Sequence, residues 1–205
     1  MERKIIFATG NEHKMQEIRM ILSDLGMPIV SMKEAGICVE VVEDGTSFEE
    51  NAMIKATEIA KHVENCIVLA DDSGLEIDYL NKEPGIYSAR YAGEHTSYDI
   101  KNNLLLGRLE GVPDEKRTAR FVCAVAAAFP DGTTEVVRGT MEGRIGHEII
   151  GENGFGYDPI FFLPEYGCTS AQLAPEKKNE LSHRGKALRA MRAIMEKKYE
   201  NIDCK

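Results

Sequence analysis

From Phe121 to Phe129 the chain reads Phe-Val-Cys-Ala-Val-Ala-Ala-Ala-Phe, without one charged, amide or hydroxyl side chain. A strand of this composition has no face fit for water, so it belongs inside a sheet that is covered on both sides. Pro130-Asp131-Gly132 then supplies turn chemistry, and Thr133–Val137 reads as the returning arm of a hairpin. A hairpin inside a covered sheet predicts a mixed sheet, not a purely parallel one.

The rest of the chain alternates short β-branched runs with stretches of helical spacing, the pattern of an α/β fold. Lys4–Ala8 reads as a first strand, broken by Thr9-Gly10-Asn11 and followed by a helix from His13 to Leu22 carrying Met15, Ile18, Ile21 and Leu22. Ile37–Val42 suggests a second strand, ending in the acidic turn Glu43-Asp44-Gly45. Ser47 and Glu50 form a capping box that opens a helix to about Val63, with Phe48, Ala52, Ala56, Ile59 and Ala60 inward. Cys66–Ala70 reads as a buried strand that stops at Asp71-Asp72-Ser73-Gly74. Pro84-Gly85 marks a loop, and Thr96 with Asp99 caps a helix through Leu104, Leu105 and Leu109. A glycine-rich segment, Gly154 to Pro159, precedes the strand Ile160–Leu163, and a last helix from near Ser182 buries Leu188, Met191, Ile194 and Met195. No repeat or long linker interrupts residues 1–205, so one continuous domain with two lobes is expected.

Charge narrows the partners. The net charge of −9 opposes binding to nucleic-acid polymers. It is uneven: residues 1–170 hold 16 basic and 29 acidic groups, net −13, while residues 171–205 hold 9 and 5, net +4. Taken alone, the basic end reads more readily as a solvated helix face than as part of a site. The five cysteines (Cys38, Cys66, Cys123, Cys168, Cys204) lack C-x-x-C spacing and point to a reducing compartment. The N-terminal apolar run is too short for a signal peptide and no stretch approaches the ~18 apolar residues of a membrane span, so the expectation is a cytoplasmic protein.

Several segments have chemistry in them. Asp71 and Asp72 end an apolar strand and Glu43 sits in an acidic turn; such hard oxygen donors suit Mg2+, while Glu49 and Glu50 are explained by the helix dipole. Thr9 to Lys14 offers amides, a hydroxyl and a cation at a helix start, fit either for phosphate or for a plain strand-to-helix connection. Phe155, Tyr157 and Asp158 among glycines suit a base-reading platform or core packing. Ser182-His183-Arg184 is a dense polar triplet where Ser182 alone would serve as a helix cap. The P-loop and the dinucleotide fingerprint are absent, as are H-E-x-x-H and G-x-S-x-G, and five scattered histidines form no zinc set.

Taken in order, TGNEHK at 9–14, VVEDGTSFEENA at 41–52, ADDSGL at 70–75, PGIYSARYAG at 84–93, GFGYDP at 154–159 and SHRGKAL at 182–188 form a series. The series closely resembles the inosine triphosphate pyrophosphatase family, whose bacterial and archaeal form is the dITP/XTP (non-canonical purine NTP) pyrophosphatase. The resemblance runs from residue 4 to about 195. It implies a long mixed α/β sheet flanked by helices, with two lobes around a central substrate cleft, and a homodimer. It implies Mg2+-dependent hydrolysis of (d)ITP and XTP to the monophosphate and pyrophosphate, with the nucleotide as partner and no membrane.

Residue by residue, the resemblance puts phosphate binding on Thr9, Gly10, Asn11, Glu12, His13 and Lys14, and metal binding on Glu43 and Asp72. Asp72 is implied as the proton acceptor, with Ser73 a substrate contact. Base binding falls on Phe155, Gly156, Tyr157 and Asp158, and further substrate contacts on Lys178, His183 and Arg184. Lys178 is preferred over Lys177 because it lies five before His183. Lys55 also matches a phosphate-facing position, and Asp71 is read as supporting. Two other functions stay open: a related nucleotide pyrophosphatase with another base preference, and a nucleotide-binding module without turnover.

Overall fold

The computed structural model describes residues 4–203, and side chains as far as Lys198; Cys204 lies outside the described residues. In chain order the elements are β1 (Ile5–Phe7), α1 (Glu12–Ile21), β2 (Ile29–Ser31), α2 (Phe48–Ala60), β3 (Ile67–Ile77), α3 (Tyr98–Arg108), β4 (Thr118–Ala128), β5 (Thr134–Ile145), β6 (Phe161–Leu163), β7 (Cys168–Thr169), α4 (Pro175–Leu181) and α5 (His183–Asp203). The strands form a seven-stranded sheet in the order β2-β1-β3-β4-β5-β6-β7. It is mixed: β1 pairs in parallel with both β2 and β3, and β6 is antiparallel to both β5 and β7.

The apolar run from Phe121 falls on β4, the middle strand, and Val122 through Ala127 are fully buried. Its turn closes as expected, with the Phe129 N–H donating to the Thr133 carbonyl, but the returning strand β5 runs on to Ile145, well past Val137. Helix starts follow capping chemistry. The Asn11 side chain accepts the His13 and Lys14 amides, and Ser47 accepts the amide of Glu50. The Glu50 carboxylate takes the Thr46 amide and hydroxyl. The third such helix is capped by Ser97, not by Thr96, whose hydroxyl donates to the Ala92 carbonyl.

Two expected elements are corrected. Residues 37–42 form no strand, and the second strand is instead Ile29–Ser31. The alternation is real, for Ile37, Val39 and Val41 are half-buried and Cys38, Glu40 and Val42 exposed. No described strand lies beside the segment to complete a ladder, and alternation alone cannot make one. Second, β3 does not stop at Ala70; it continues through Asp71-Asp72-Ser73-Gly74 to Ile77. The Ser-Gly pair that looked like a turn is mid-strand.

The described residues fall into two compact units. One draws on Met1–Asp72, Cys123–Gly139 and His183–Lys205, the other on Ser73–Val122 and Thr140–Ser182. The core of the first joins Ile5, Phe7, Met15, Ile18, Ile67, Leu69, Val125, Leu188, Met191 and Met195; Ile194 is only half-buried. The core of the second includes Leu75, Ile77, Leu105, Leu109, Phe121, Met141, Phe161 and Leu173. Cys38 is exposed, Cys66 and Cys168 are half-buried, Cys123 is buried, and all four are free thiols.

Candidate functional site

Strand pleating sorts the acids of the first unit. Successive side chains on β3 point to opposite faces, so Asp71 shares the face of Ile67 and Leu69, under α1 and α5, while Asp72 turns to the other face, toward α2. Asp71 is completely buried. Its Oδ2 lies 3.0 Å from the Lys14 ammonium and 3.2 Å from Arg184 Nη2, and Lys55 donates to its backbone carbonyl at 3.2 Å. Burial alone would raise the Asp71 pKa, but Lys14, Arg184 and Lys55 outweigh it and hold the carboxyl well below the usual carboxylate range. Arg184, itself buried, is further paired with Glu17 from α1. Beneath this group Cys123 is pushed up to about 12 by burial and by the Asp71 charge, so its thiol stays neutral.

Asp72 has a different environment. Asn51, 1% exposed on the inner face of α2, donates to Asp72 Oδ2 at 3.1 Å and accepts the Gly45 amide through its Oδ1 at 2.9 Å. One side chain thereby ties the acidic turn that carries Glu43 to the strand that carries Asp72. Glu43 Oε1 lies 3.1 Å from the Lys55 ammonium. Burial raises the Asp72 pKa, with Glu43 adding to the rise, against the lowering influence of Asn51, Lys55 and Lys14. The result is a carboxylate with more than ordinary affinity for a proton, the property wanted in a base.

The Thr9–Lys14 turn sits at the same end of this unit. Thr9 Oγ1 accepts the Asn11 amide, and two first-turn amides are occupied by Asn11, which leaves the cation of Lys14 as the segment's main asset toward phosphate. Gly10, Asn11, Glu12 and His13 are exposed, and Thr9 and Lys14 half-buried. His183 and Arg184, at the start of α5, are buried in this unit. Gly139 of β5 makes room for that start: a Cβ there would lie 2.3 Å from the His183 carbonyl oxygen.

The second unit holds the GFGYDP segment. Asp158 is its organiser and is 3% exposed. Its carboxylate accepts the Phe155 amide at 2.9 Å, the Ser170 hydroxyl at 2.8 Å and the Lys178 ammonium at 2.7 Å. Gly154, at φ +74°, is required here, since a Cβ would fall 2.2 Å from Asp158 Oδ2. The Lys178 ammonium stands 5.0 Å from the centroid of the half-buried Phe155 ring. Lys177, by contrast, is half-buried and pairs with Glu180. Tyr157 is core: it is buried, its hydroxyl donates to the Ser88 carbonyl, and its ring meets that of Tyr98 edge-on at 5.2 Å. Ser73, on β3, is half-buried.

Each unit by itself therefore gathers most of its expected residues. In the first, Lys14, Glu43, Lys55, Asp71, Asp72 and Arg184 form one charged cluster; in the second, Phe155, Asp158 and Lys178 converge. The sequence reading passed over Asn51, Glu17 and Ser170. Asn51 had a signal, an amide on the apolar stripe of α2 beside Phe48, Ala52 and Ala56. Glu17 and Ser170 had none.

Comparison with known proteins places this arrangement. The chain is 48% identical over 195 residues to the dITP/XTP pyrophosphatase of Clostridium perfringens (strain 13 / Type A), covering 93% of this chain and 96% of that protein. It is 50% identical over 191 residues to the dITP/XTP pyrophosphatase of Vibrio parahaemolyticus, covering 92% and 94%. Among solved structures it resembles the Staphylococcus aureus Ham1 protein, with a TM-score of 0.85 at 42% identity over 95% of this chain and 99% of that one. It also resembles the nucleoside-triphosphatase / dITP/XTP pyrophosphatase of Mycobacterium abscessus, with a TM-score of 0.74 at 45% identity over 92% and 98%. The Ham1 family matches residues 5–194, a span that holds every side chain placed above; the chain belongs to the Ham1 family.

Proposed function

We propose that the protein hydrolyses non-canonical purine nucleoside triphosphates, dITP, ITP and XTP, to the monophosphate and pyrophosphate. The observation that carries the reading is Asp72, a carboxylate with raised proton affinity, held by Asn51 beside Glu43 and Lys55. A module that only binds nucleotides has no use for a base in that position. The relatives named dITP/XTP pyrophosphatase support the substrate class.

In this reading the charged cluster of Lys14, Glu43, Lys55, Asp71, Asp72 and Arg184 handles the phosphates. Lys14, Lys55 and Arg184 bring three positive charges against the four carboxylates of Glu17, Glu43, Asp71 and Asp72. Since a triphosphate adds roughly four negative charges, the cluster needs a further cation to accept it. The residues fit Mg2+: Glu43 and Asp72 offer hard carboxylate oxygens. Two carboxylates do not fill the coordination of such an ion, whose remaining positions phosphate and water would take. Glu43 and Asp72 would hold the ion, which supplies charge neutralisation at the phosphates.

Asp72 takes the proton of the water that attacks the α-phosphorus; the bond from that phosphorus to the bridging oxygen breaks, and pyrophosphate leaves. Lys14 and Lys55 exchange part of their pairing with Asp71 and Glu43 for phosphate oxygens. Phe155 offers a stacking face, and Lys178, fixed by Asp158, brings a donor to the 6-keto oxygen of hypoxanthine or xanthine, where adenine carries an amino group. The reading also includes a cytoplasmic homodimer.

The test is an assay of ITP, XTP, GTP and ATP with and without Mg2+, with pyrophosphate and orthophosphate measured separately. Pyrophosphate release from ITP and XTP that stops on chelation is expected. Orthophosphate as product, or equal turnover of ATP, refutes the proposal.

A further inference from the structure

The face of α3 that carries Asn102 is joined to the GFGYDP segment. Asn102 is 1% exposed, and its Nδ2 donates to the Gly156 carbonyl at 3.1 Å. Its Oδ1 is buried and accepts no hydrogen bond among the described residues. Burial of an unpaired amide oxygen is unfavourable, and a leucine of similar volume would fill the same space without that burden. What the asparagine adds is the donor.

Its neighbours reinforce the same junction. Tyr98, one helical turn earlier, sets its ring edge-on to Tyr157. Lys101, 1% exposed, donates to the Ala89 carbonyl at 2.6 Å, next to Ser88, whose own carbonyl accepts the Tyr157 hydroxyl. The Ser88 hydroxyl in turn accepts the Leu75 amide at 2.8 Å. Thus the Gly156 carbonyl is held by α3 and the Tyr157 hydroxyl by the 3-10 helix Gly85–Arg90, while the Asp158 carboxylate holds the Phe155 amide.

We infer that Asn102 is a positioning residue for base recognition: by fixing the Gly156 carbonyl it sets the loop whose Phe155 and Lys178 receive the purine. The inference rests on the base-binding role proposed above for that loop. Asn102 touches neither the substrate nor the charged cluster of the first unit in this account. Its removal therefore weakens interactions with the base that are made equally in the ground and transition states. Such a loss raises KM and leaves kcat in place.

The test compares Asn102→Ala and Asn102→Asp with the parent enzyme, reading KM and kcat for ITP, inhibition by pyrophosphate, and Tm. Asn102→Asp keeps the shape and replaces the donor with an acceptor. The expected result is a KM for ITP raised about tenfold in both variants, with kcat and pyrophosphate inhibition within about twofold of the parent. An unchanged KM in both overturns the inference. So does a parallel weakening of ITP and pyrophosphate, or failure of both variants to fold, since either assigns Asn102 to general stability. Phe155→Ala separates the inference from the reading beneath it. If Phe155→Ala leaves the KM for ITP unchanged, the base-binding role of the loop fails. If Phe155→Ala raises KM and neither Asn102 variant does, only the role of Asn102 fails.

Discussion

Asp71 and Asp72 are consecutive residues whose carboxylates meet different chemistry because a strand alternates its faces. Asp71 is surrounded by cations and stays ionised; Asp72 is half-buried beside an amide and another carboxylate and holds a proton more readily. The two substitutions to asparagine should therefore fail in different ways. Asp72→Asn keeps the Asn51 contact in altered form and removes the base, so turnover should drop by two or more orders of magnitude, the scale of general-base catalysis, while ITP still binds. Asp71→Asn strips the shared anion from Lys14 and leaves the buried Arg184 with Glu17 alone, and breaking a buried ion pair costs about 3–5 kcal/mol. Its signature is a lowered Tm. Thermal melts and single-turnover kinetics on the two variants check the contrast, and equal effects on both measures would refute it. The pair was visible in the sequence as acidic residues after an apolar run, but the split between them was not. It depends on β3 continuing through Ser73-Gly74, where local residue preference argued for a turn and sheet pairing prevailed.

At the scale of elements, strong local signals were legible and pairing-dependent ones were not. β4 could be read from its composition, α1 and α2 from spacing and caps, and the hairpin turn from Pro130-Asp131-Gly132. β2 is three half-buried residues long and exists because β1 offers it an edge; the stronger alternation at 37–42 lacks such an edge. α4, which carries Lys178, is a short helix opened by Pro175 without an apolar stripe to reveal it. α5 depends on a contact equally hidden from local pattern, its close approach to Gly139. A Cβ at that position would lie 2.3 Å from the His183 carbonyl oxygen and 2.8 Å from the Ala187 amide nitrogen, both backbone atoms unable to swing aside. Gly139→Ala must push the first turn of α5 outward and move Arg184 with it. The expected cost is about 1–3 kcal/mol, a Tm lower by roughly 2–12 °C, together with reduced turnover. An alanine variant with the parent's Tm and rate would show that the approach is looser than described.

Across the whole molecule, the response to acid follows from carboxyl groups whose pKa differs between the folded and unfolded chain. Two carboxylates stand out, one in each unit. Asp71 is held below the usual range by Lys14, Arg184 and Lys55 against its burial. Asp78 is held below it by hydrogen bonds from Arg120, Lys82 and Thr118, again against burial. A carboxyl whose pKa is lower folded than unfolded favours the folded state fully above the unfolded value, near 3.8 for these groups, and loses that contribution as pH falls toward the folded value. Asp72 acts in the opposite sense: its raised pKa gives stability at low pH that disappears as pH rises through the folded value. Carboxylates held low (Asp24, Glu34, Glu50, Glu58, Asp71, Asp78 and Asp131) outnumber Asp72, which is held high, and predict a Tm steady near neutrality and falling as pH drops below about 4. Asp71→Asn should start from a lower Tm and lose less of it between pH 6 and pH 3, because one of the carboxylates held low is gone, whereas Asp72→Asn should lose at least as much as the parent. A set of melts at half-unit pH steps on the three proteins decides the matter: parallel curves for the parent and Asp71→Asn would mean that the buried cluster of Lys14, Asp71 and Arg184 does not govern the acid stability of this fold.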